Sequence, residues 1–274
     1  MTSEQTSSVQ LPAMLEPYQD ILRPHLRRTV GLRLRPVPVD DPQTTLSQAQ
    51  ANPAGSRIGG PALVTAEHPW PVDDTNKPML HMAQLNLTEL PAREHYPTSG
   101  LLQFFHADDE CYGLDSTNGT CVRYIPAAML AGGTLQGDLT TQSDAITGGY
   151  FEVTGELFDQ YPTADDFEYE TLITPLFDAA DLDEDDLYDA FTDAQTFDSI
   201  YGNGWASFTQ FDPRGYAESP MRDYQLLLQI ASIWGDATPV KIMFGDCGIC
   251  SYFIHPQDLA ALNFNNVEYS WDYC

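Results

Sequence analysis

The sequence predicts an α+β fold: a mixed, largely antiparallel, β-rich domain built from two pseudo-repeats with peripheral helices. Three observations predict it. Short runs with period-two alternation recur along the chain between Gly- and Pro-bearing turns. The order of signals in residues 56–125 returns in residues 200–274. A length of 274 residues with 42% hydrophobic and 11% aromatic content is enough for a substantial core.

Residues 1–11 read as a disordered leader, and residues 12–274 as a single domain. From Pro12 to Arg28 the spacing of Leu15, Tyr18, Ile21, Leu22 and Leu26 is helical, with Pro24 set to kink or divide the helix. Thr29–Arg35 alternates Val30, Leu32 and Leu34 against Gly31, Arg33 and Arg35, a strand with one basic face. Asp41–Ala54 is polar and carries two prolines, which fits a loop or short helix at the edge of the fold. Ser56–Pro61 reads as a tight turn enabled by Gly59 and Gly60, and His68-Pro69-Trp70-Pro71 as a rigid corner whose Trp70 packs the turn onto the sheet.

Two strands follow, Met79–Leu87 and Leu101–Phe105. In the first, Ala83, Leu85 and Leu87 share a face, and Leu80 and Met82 share the other with Gln84 and Asn86. Gln84 is therefore an amide in a half-buried sheet that must find hydrogen-bond partners. Asn118-Gly119 turns the chain into Val122–Ile125, and the Gly- and Thr-rich stretch 129–150 carries no clear period. The run from Asp181 to Asp189 opens a helix whose dipole favours acids there, with Leu187 and Phe191 facing the core. Strands are predicted at Leu226–Ile230, Cys250–Ile254 and Val267–Tyr273, with a short helix begun by Pro256 between the last two.

The internal repeat aligns Arg57-Ile58-Gly59-Gly60-Pro61 with Tyr201-Gly202-Asn203-Gly204-Trp205, Gln84 with Gln229, and Gly100 with Gly248. That alignment places Cys250 where the first copy has Leu102, so it reads as a core thiol and not as half of a zinc or redox pair with Cys247. The stretch between the copies, 126–199, reads as an acidic insert.

Forty acids against twelve bases give a net charge of −28, which disfavours nucleic acid and anionic membrane and favours basic proteins. Residues 124–213 hold nineteen acids and no Lys or Arg, while five of the ten arginines lie between Arg23 and Arg35. Asp181, Asp183, Asp185 and Asp189 match positions of a calcium loop, but Asp186 replaces its glycine and Thr192 its closing glutamate, so no metal is expected there. The N-terminal residues lack the pattern of a signal peptide, and no stretch of eighteen apolar residues occurs, which leads to an expectation of a cytoplasmic protein.

Ser56-Arg57-Ile58-Gly59-Gly60, His68-Pro69-Trp70-Pro71, Met82–Leu87, Gly100–Phe105, Asp108-Asp109 and Tyr112-Gly113 stand in order, followed by Phe208–Arg214, Leu227–Ile230, Gly245–Gly248 and Phe253–Leu259. With these the chain resembles the YwqG-like family, bacterial proteins of unassigned function. The resemblance runs from Ser56 to Cys274 and implies an α+β fold with a repeated β-rich unit. It carries over no catalytic residue. Related genes near secreted-toxin systems imply a protective role. The family usually has a small or apolar residue where Cys247 and Cys250 stand, and the stretch 159–198 matches it little.

No phosphate loop, His-Glu-x-x-His, Gly-x-Ser-x-Gly or dinucleotide fingerprint is present. His106 with Asp108, Asp109 and Glu110 is the densest group of metal-type ligands, and reads as a solvated turn. The expectation is a non-catalytic binding protein without a cofactor, in the form of a toxin-neutralising immunity protein whose acidic surface, with Asp183, Asp185 and Asp186, meets a basic effector. The alternative is a small-ligand binder or an unrecognised enzyme with a cleft between the repeats, where Gln84, Gln229, Arg214 and Asp246 converge.

Overall fold

The computed structural model describes residues 11–116, 118–139, 145–172, 183–195, 197–235 and 238–273. In chain order the strands of the first part are β1 (Arg27–Pro38), β2 (Arg57–Ile58), β3 (Ala62–Val64), β4 (Leu80–Asn86), β5 (Leu101–His106), β6 (Thr120–Ile125) and β7 (Thr134–Gln136). Those of the second are β8 (Ile146–Thr147), β9 (Gly149–Gln160), β10 (Ile200–Tyr201), β11 (Gln225–Ala231), β12 (Lys241–Ile242), β13 (Ile249–Ile254) and β14 (Glu268–Asp272). The described α-helices are α1 (Gln19–Leu22), α2 (Pro42–Ala51), α3 (Glu184–Asp193) and α4 (Pro256–Ala260).

Ten strands form one sheet in the order β14-β13-β11-β10-β1-β9-β2-β4-β5-β6, and every pairing in it is antiparallel. At its centre β1 and β9 pair over twelve residues each, from Arg27 opposite Gln160 to Pro38 opposite Gly149. The alternation seen in β1 explains the pairing: Val30 and Leu32 turn into the core, and Arg33 and Arg35 turn out towards acids of β9. Arg28 meets Asp159 and Arg33 meets Glu156, both at 3.2 Å, and Arg35 meets Glu152. The basic face is thus neutralised by the neighbouring strand.

The two sides of this central pair repeat each other. Each consists of a two-residue strand, a seven-residue strand and two further strands, and each repeat is preceded by a twelve-residue strand and a ten-residue helix. The ladder registers make the equivalences explicit. Arg57 pairs with Gln84, which pairs with Gln103; Ile200 pairs with Gln229, which pairs with Ser251. Even the irregularities correspond, with a bulge at Met82 in β4 and one at Leu227 in β11.

Several expectations need correction. The register matches Ile58, and not Arg57, with Tyr201, because the sequence alignment followed glycines whereas the ladder follows strand partners. The bulge carries Met82 onto the core face beside Ala83, away from the face of Gln84. Within residues 12–28 the helical part is three successive single turns, Glu16–Tyr18, Gln19–Leu22 and Arg23–His25, with Pro24 in the last as expected, and β1 already begins at Arg27. Strand β9, inside the stretch taken for an insert, is central to the sheet. The polar segment after β1, expected as a loop or short helix, is helix α2, begun by Asp41, whose carboxylate accepts from Gln43 N–H.

The sheet curls so that its two halves face each other across one apolar cluster. Phe104 of β5 and Tyr252 of β13 occupy equivalent positions, and their rings meet at 4.8 Å. Leu85, Leu102, Leu228, Ile230 and Cys250 fill the space around them. The ends approach as well: Trp271 of β14 donates its indole N–H to Cys111 O, and the Tyr112 ring lies against Trp271 and Phe244. Helix α3 closes a second cluster with Leu187 and Phe191 against Leu15, Leu22 and Tyr169. No described helix is long and apolar enough to cross a membrane.

Candidate functional site

The outer face of the first half carries a polar row across three strands. Gln84 is fully buried; its amide N–H groups donate to Pro53 O and Gly55 O, and its Oε1 accepts from Leu63 N–H and from Gln103. Gln103 in turn accepts from Arg123 Nε at 2.8 Å. In the second half Gln229 stands at the same place, donating to Asp198 O and accepting from Ser207 N–H. Both glutamines therefore fasten a covering loop to the sheet with every contact to protein.

Arg214 is buried as well, held by Asp166 at 2.7 Å and Asp212 at 2.6 Å, with its guanidinium over the rings of Phe253 and Phe167. Burial pulls its pKa down, but the two carboxylates outweigh that and hold it above the ordinary value. Asp246 sits exposed in the turn after β12. The four residues expected to converge are thus in separate places: Gln84 under the loop of the first half, Gln229 and Arg214 in the second, Asp246 at the surface. The space between the halves holds the apolar cluster.

Asp183, Asp185 and Asp186 are exposed at the start of α3, where the Asp183 carboxylate accepts from Asp185 N–H. Asp181, the first position of the calcium-loop comparison, lies outside the described residues. Asp109 closes its own turn, accepting from Cys111 N–H, Gly113 N–H and the Ser116 hydroxyl. Among the described residues no three or more His, Cys, Asp or Glu are placed to hold a metal ion. Cys250 is fully buried opposite Ile230, and burial pushes its thiol pKa well up, whereas Cys247 is half-exposed.

A different place stands out on the first half. A cavity of about 480 Å³ opens beside Trp70, Val72, Met79 and His81, with Lys77, Asp108 and Asp138 among its polar walls. Three of the motifs that are distant in sequence supply it: Gly60 from the turn after β2, Trp70 from the Pro-rich corner, and Asp108 after β5. Each wall is fixed locally. Trp70 donates its indole N–H to Met79 O at 2.7 Å, and Gly137, with φ near +93°, lies so close to the indole that a Cβ would stand 2.5 Å from it. Lys77 bridges to the Asp108 carboxylate at 2.6 Å, and Asp73 ties the intervening turn by accepting from Lys77 N–H.

His81 is the unusual member. Its ring centroid lies 5.2 Å from that of Phe105 and 6.4 Å from that of Trp70, and those two rings meet each other at 5.3 Å. Nδ1 is 3.0 Å from Gly60 O, an atom that only accepts, so Nδ1 carries the proton and Nε2 is left as a bare acceptor. Nε2 is buried and has no hydrogen-bond partner among the described residues. Burial, reinforced by Arg57 and Arg123 and opposed by the Gly60 and Ala83 carbonyls, lowers the His81 pKa to about 3. The ring is neutral at physiological pH.

The duplication supplies the comparison. The bulges equate His81 with Leu226, and Leu226 closes an apolar cluster with Phe158, Phe197, Ile200, Ala206, Phe208 and Phe253. The fold accepts a leucine at this position, yet the first half has a desolvated imidazole beside a cavity. Single-strand reading passed over His81, although both residues lie three positions before the aligned glutamines and a comparison of the two copies would have exposed the difference.

No curated protein matches the chain. A family described as a domain of unknown function (DUF1963) matches residues 56–274, from the strand β2 segment through the whole second repeat. The match takes in every wall of the His81 cavity and leaves β1 and α2 ahead of it, and by that extent the chain belongs to the DUF1963 family.

Proposed function

We propose that the protein is a non-catalytic binding protein whose ligand site is the cavity beside Trp70 and His81. The observation that carries the reading is the asymmetry between the halves: where the second half closes on Leu226 in an apolar cluster, the first has a cavity with His81 in its wall. An apolar wall with a few fixed polar groups is the usual make-up of a small-molecule site. Trp70 and Met79 give contact area, and the Lys77–Asp108 pair gives polar edges. The experiment is a screen of small aromatic compounds by ligand-observed NMR, repeated on Trp70→Ala. Hits that bind the wild type and are lost in the variant are expected; hits that bind both alike place the site elsewhere.

A second reading, an acidic surface that engages a basic protein as a toxin-neutralising immunity protein would, is favoured by the charge layout. Arg28, Arg33 and Arg35 of β1 are taken up by acids of β9, while Asp183, Asp185 and Asp186 stay exposed. Exposed charges of this kind act on encounter rate and are screened over about 10 Å at 0.1 M salt. Capture of a basic partner from the native host should then weaken steeply with salt, and Asp183, Asp185 and Asp186 changed to Asn should slow its association without unfolding the protein. Salt-independent capture would remove this reading.

A further inference from the structure

We infer that the cavity takes a planar aromatic compound presenting a neutral N–H or O–H, which donates a hydrogen bond to Nε2 of His81. This rests on the cavity being a ligand site, and it names the chemistry of what enters. The Gly60 carbonyl fixes the tautomer, so the ring offers an acceptor and no donor on the remaining nitrogen. An unpartnered buried acceptor is unfavourable unless something supplies a donor, and the protein has an apolar alternative at the same address in Leu226. The His81 nitrogen is therefore kept for a group from outside.

The surroundings select the rest of the ligand. Arg57 and Arg123 place positive potential near the ring, which disfavours a cationic donor and suits a neutral or weakly acidic one. The Trp70 indole and the Met79 and Val72 side chains form a wall suited to a flat apolar body. Nε2 is out of contact with solvent, so a donor reaches it only with a small displacement of a neighbouring side chain such as Trp70.

Indole and benzofuran test this, because they share a shape and differ in one ring N–H. Titration calorimetry should show indole binding roughly tenfold more tightly than benzofuran, the worth of one well-placed hydrogen bond. The ¹⁵N resonance of His81 Nε2 should move with indole alone. His81→Leu, which installs the residue of the other half, should reduce indole to the level of benzofuran. Equal binding of the two compounds, with an unmoved Nε2 resonance, overturns the assignment to His81 and leaves the cavity as a ligand site. Failure of both to bind the wild type at millimolar concentration overturns the ligand class and the cavity reading together. Should His81→Leu fail to fold, the compound pair and the resonance decide on the wild type.

Discussion

Replacing His81 by Leu should alter how stability depends on pH, and by a calculable amount. In the unfolded chain the imidazole protonates at its ordinary pKa of 6.5, whereas in the folded protein burial holds it neutral down to about 3. As pH falls below 6.5 the unfolded state therefore takes up a proton that the folded state refuses, and stability declines until the folded pKa is reached. With about 1.4 kcal/mol per pKa unit, the loss between pH 7 and pH 5 is about 2 kcal/mol. The side chain is fully buried, so solvent screening removes little of this. His106 is shifted down by burial too, but it is present in both proteins and cancels in the comparison. Urea unfolding followed by tryptophan fluorescence, on wild type and His81→Leu at pH 7, 6 and 5, measures the difference. The wild type should lose about 2 kcal/mol more than the variant over this range. Parallel losses would refute a desolvated neutral His81.

Further substitutions test the buried polar groups of the two halves. Arg214→Met should cost about 3–5 kcal/mol, because Asp166 and Asp212 would be left buried without their cation. Adding Asp166→Asn and Asp212→Asn should recover a substantial part of this in denaturant titrations, and a triple variant no better than Arg214→Met would show that the charges are not the cause. Gln84→Ala should cost about 3 kcal/mol through the four hydrogen bonds it leaves unmade, and Gln229→Ala about 2 kcal/mol through its two. The reverse order would contradict the loop-fastening role.

Short, nearly continuous apolar strands were legible in the sequence. β5, β11 and β13 lie within a residue of the expected runs because they are short, mostly apolar stretches buried on both faces. What was not legible depended on partners distant in sequence. A bulge at Met82 has no marker in its own strand, since it arises from the register with β5. β9 was hidden because its outward glutamates read as part of an acidic surface, when they are the partners of the β1 arginines. Gln84 was legible as a buried amide, and Gln229 with it through the repeat, but their partners are groups of loops and of Gln103 that local spacing does not reveal. His81 looked like an ordinary residue of an alternating strand. Only its equivalence with Leu226 gives it meaning.

The central ladder has a consequence for how the molecule came to be asymmetric. Each repeat gives its long strand to the other side of the sheet: β1, which precedes the first repeat's short strands, lies beside β10, and β9 lies beside β2. A protein of one repeat would leave that place open and could fill it only by exchanging long strands with a second copy, as a two-fold dimer does. In such a dimer every residue appears twice, so a polar group introduced into one outer face burdens both. Joining the copies in one chain removes that constraint, and one face can retain the apolar closure at Leu226 while the other accepts His81 and an open cavity. The same exchange delays assembly during synthesis, because β1 waits for a partner more than a hundred residues downstream with its backbone edge unpaired.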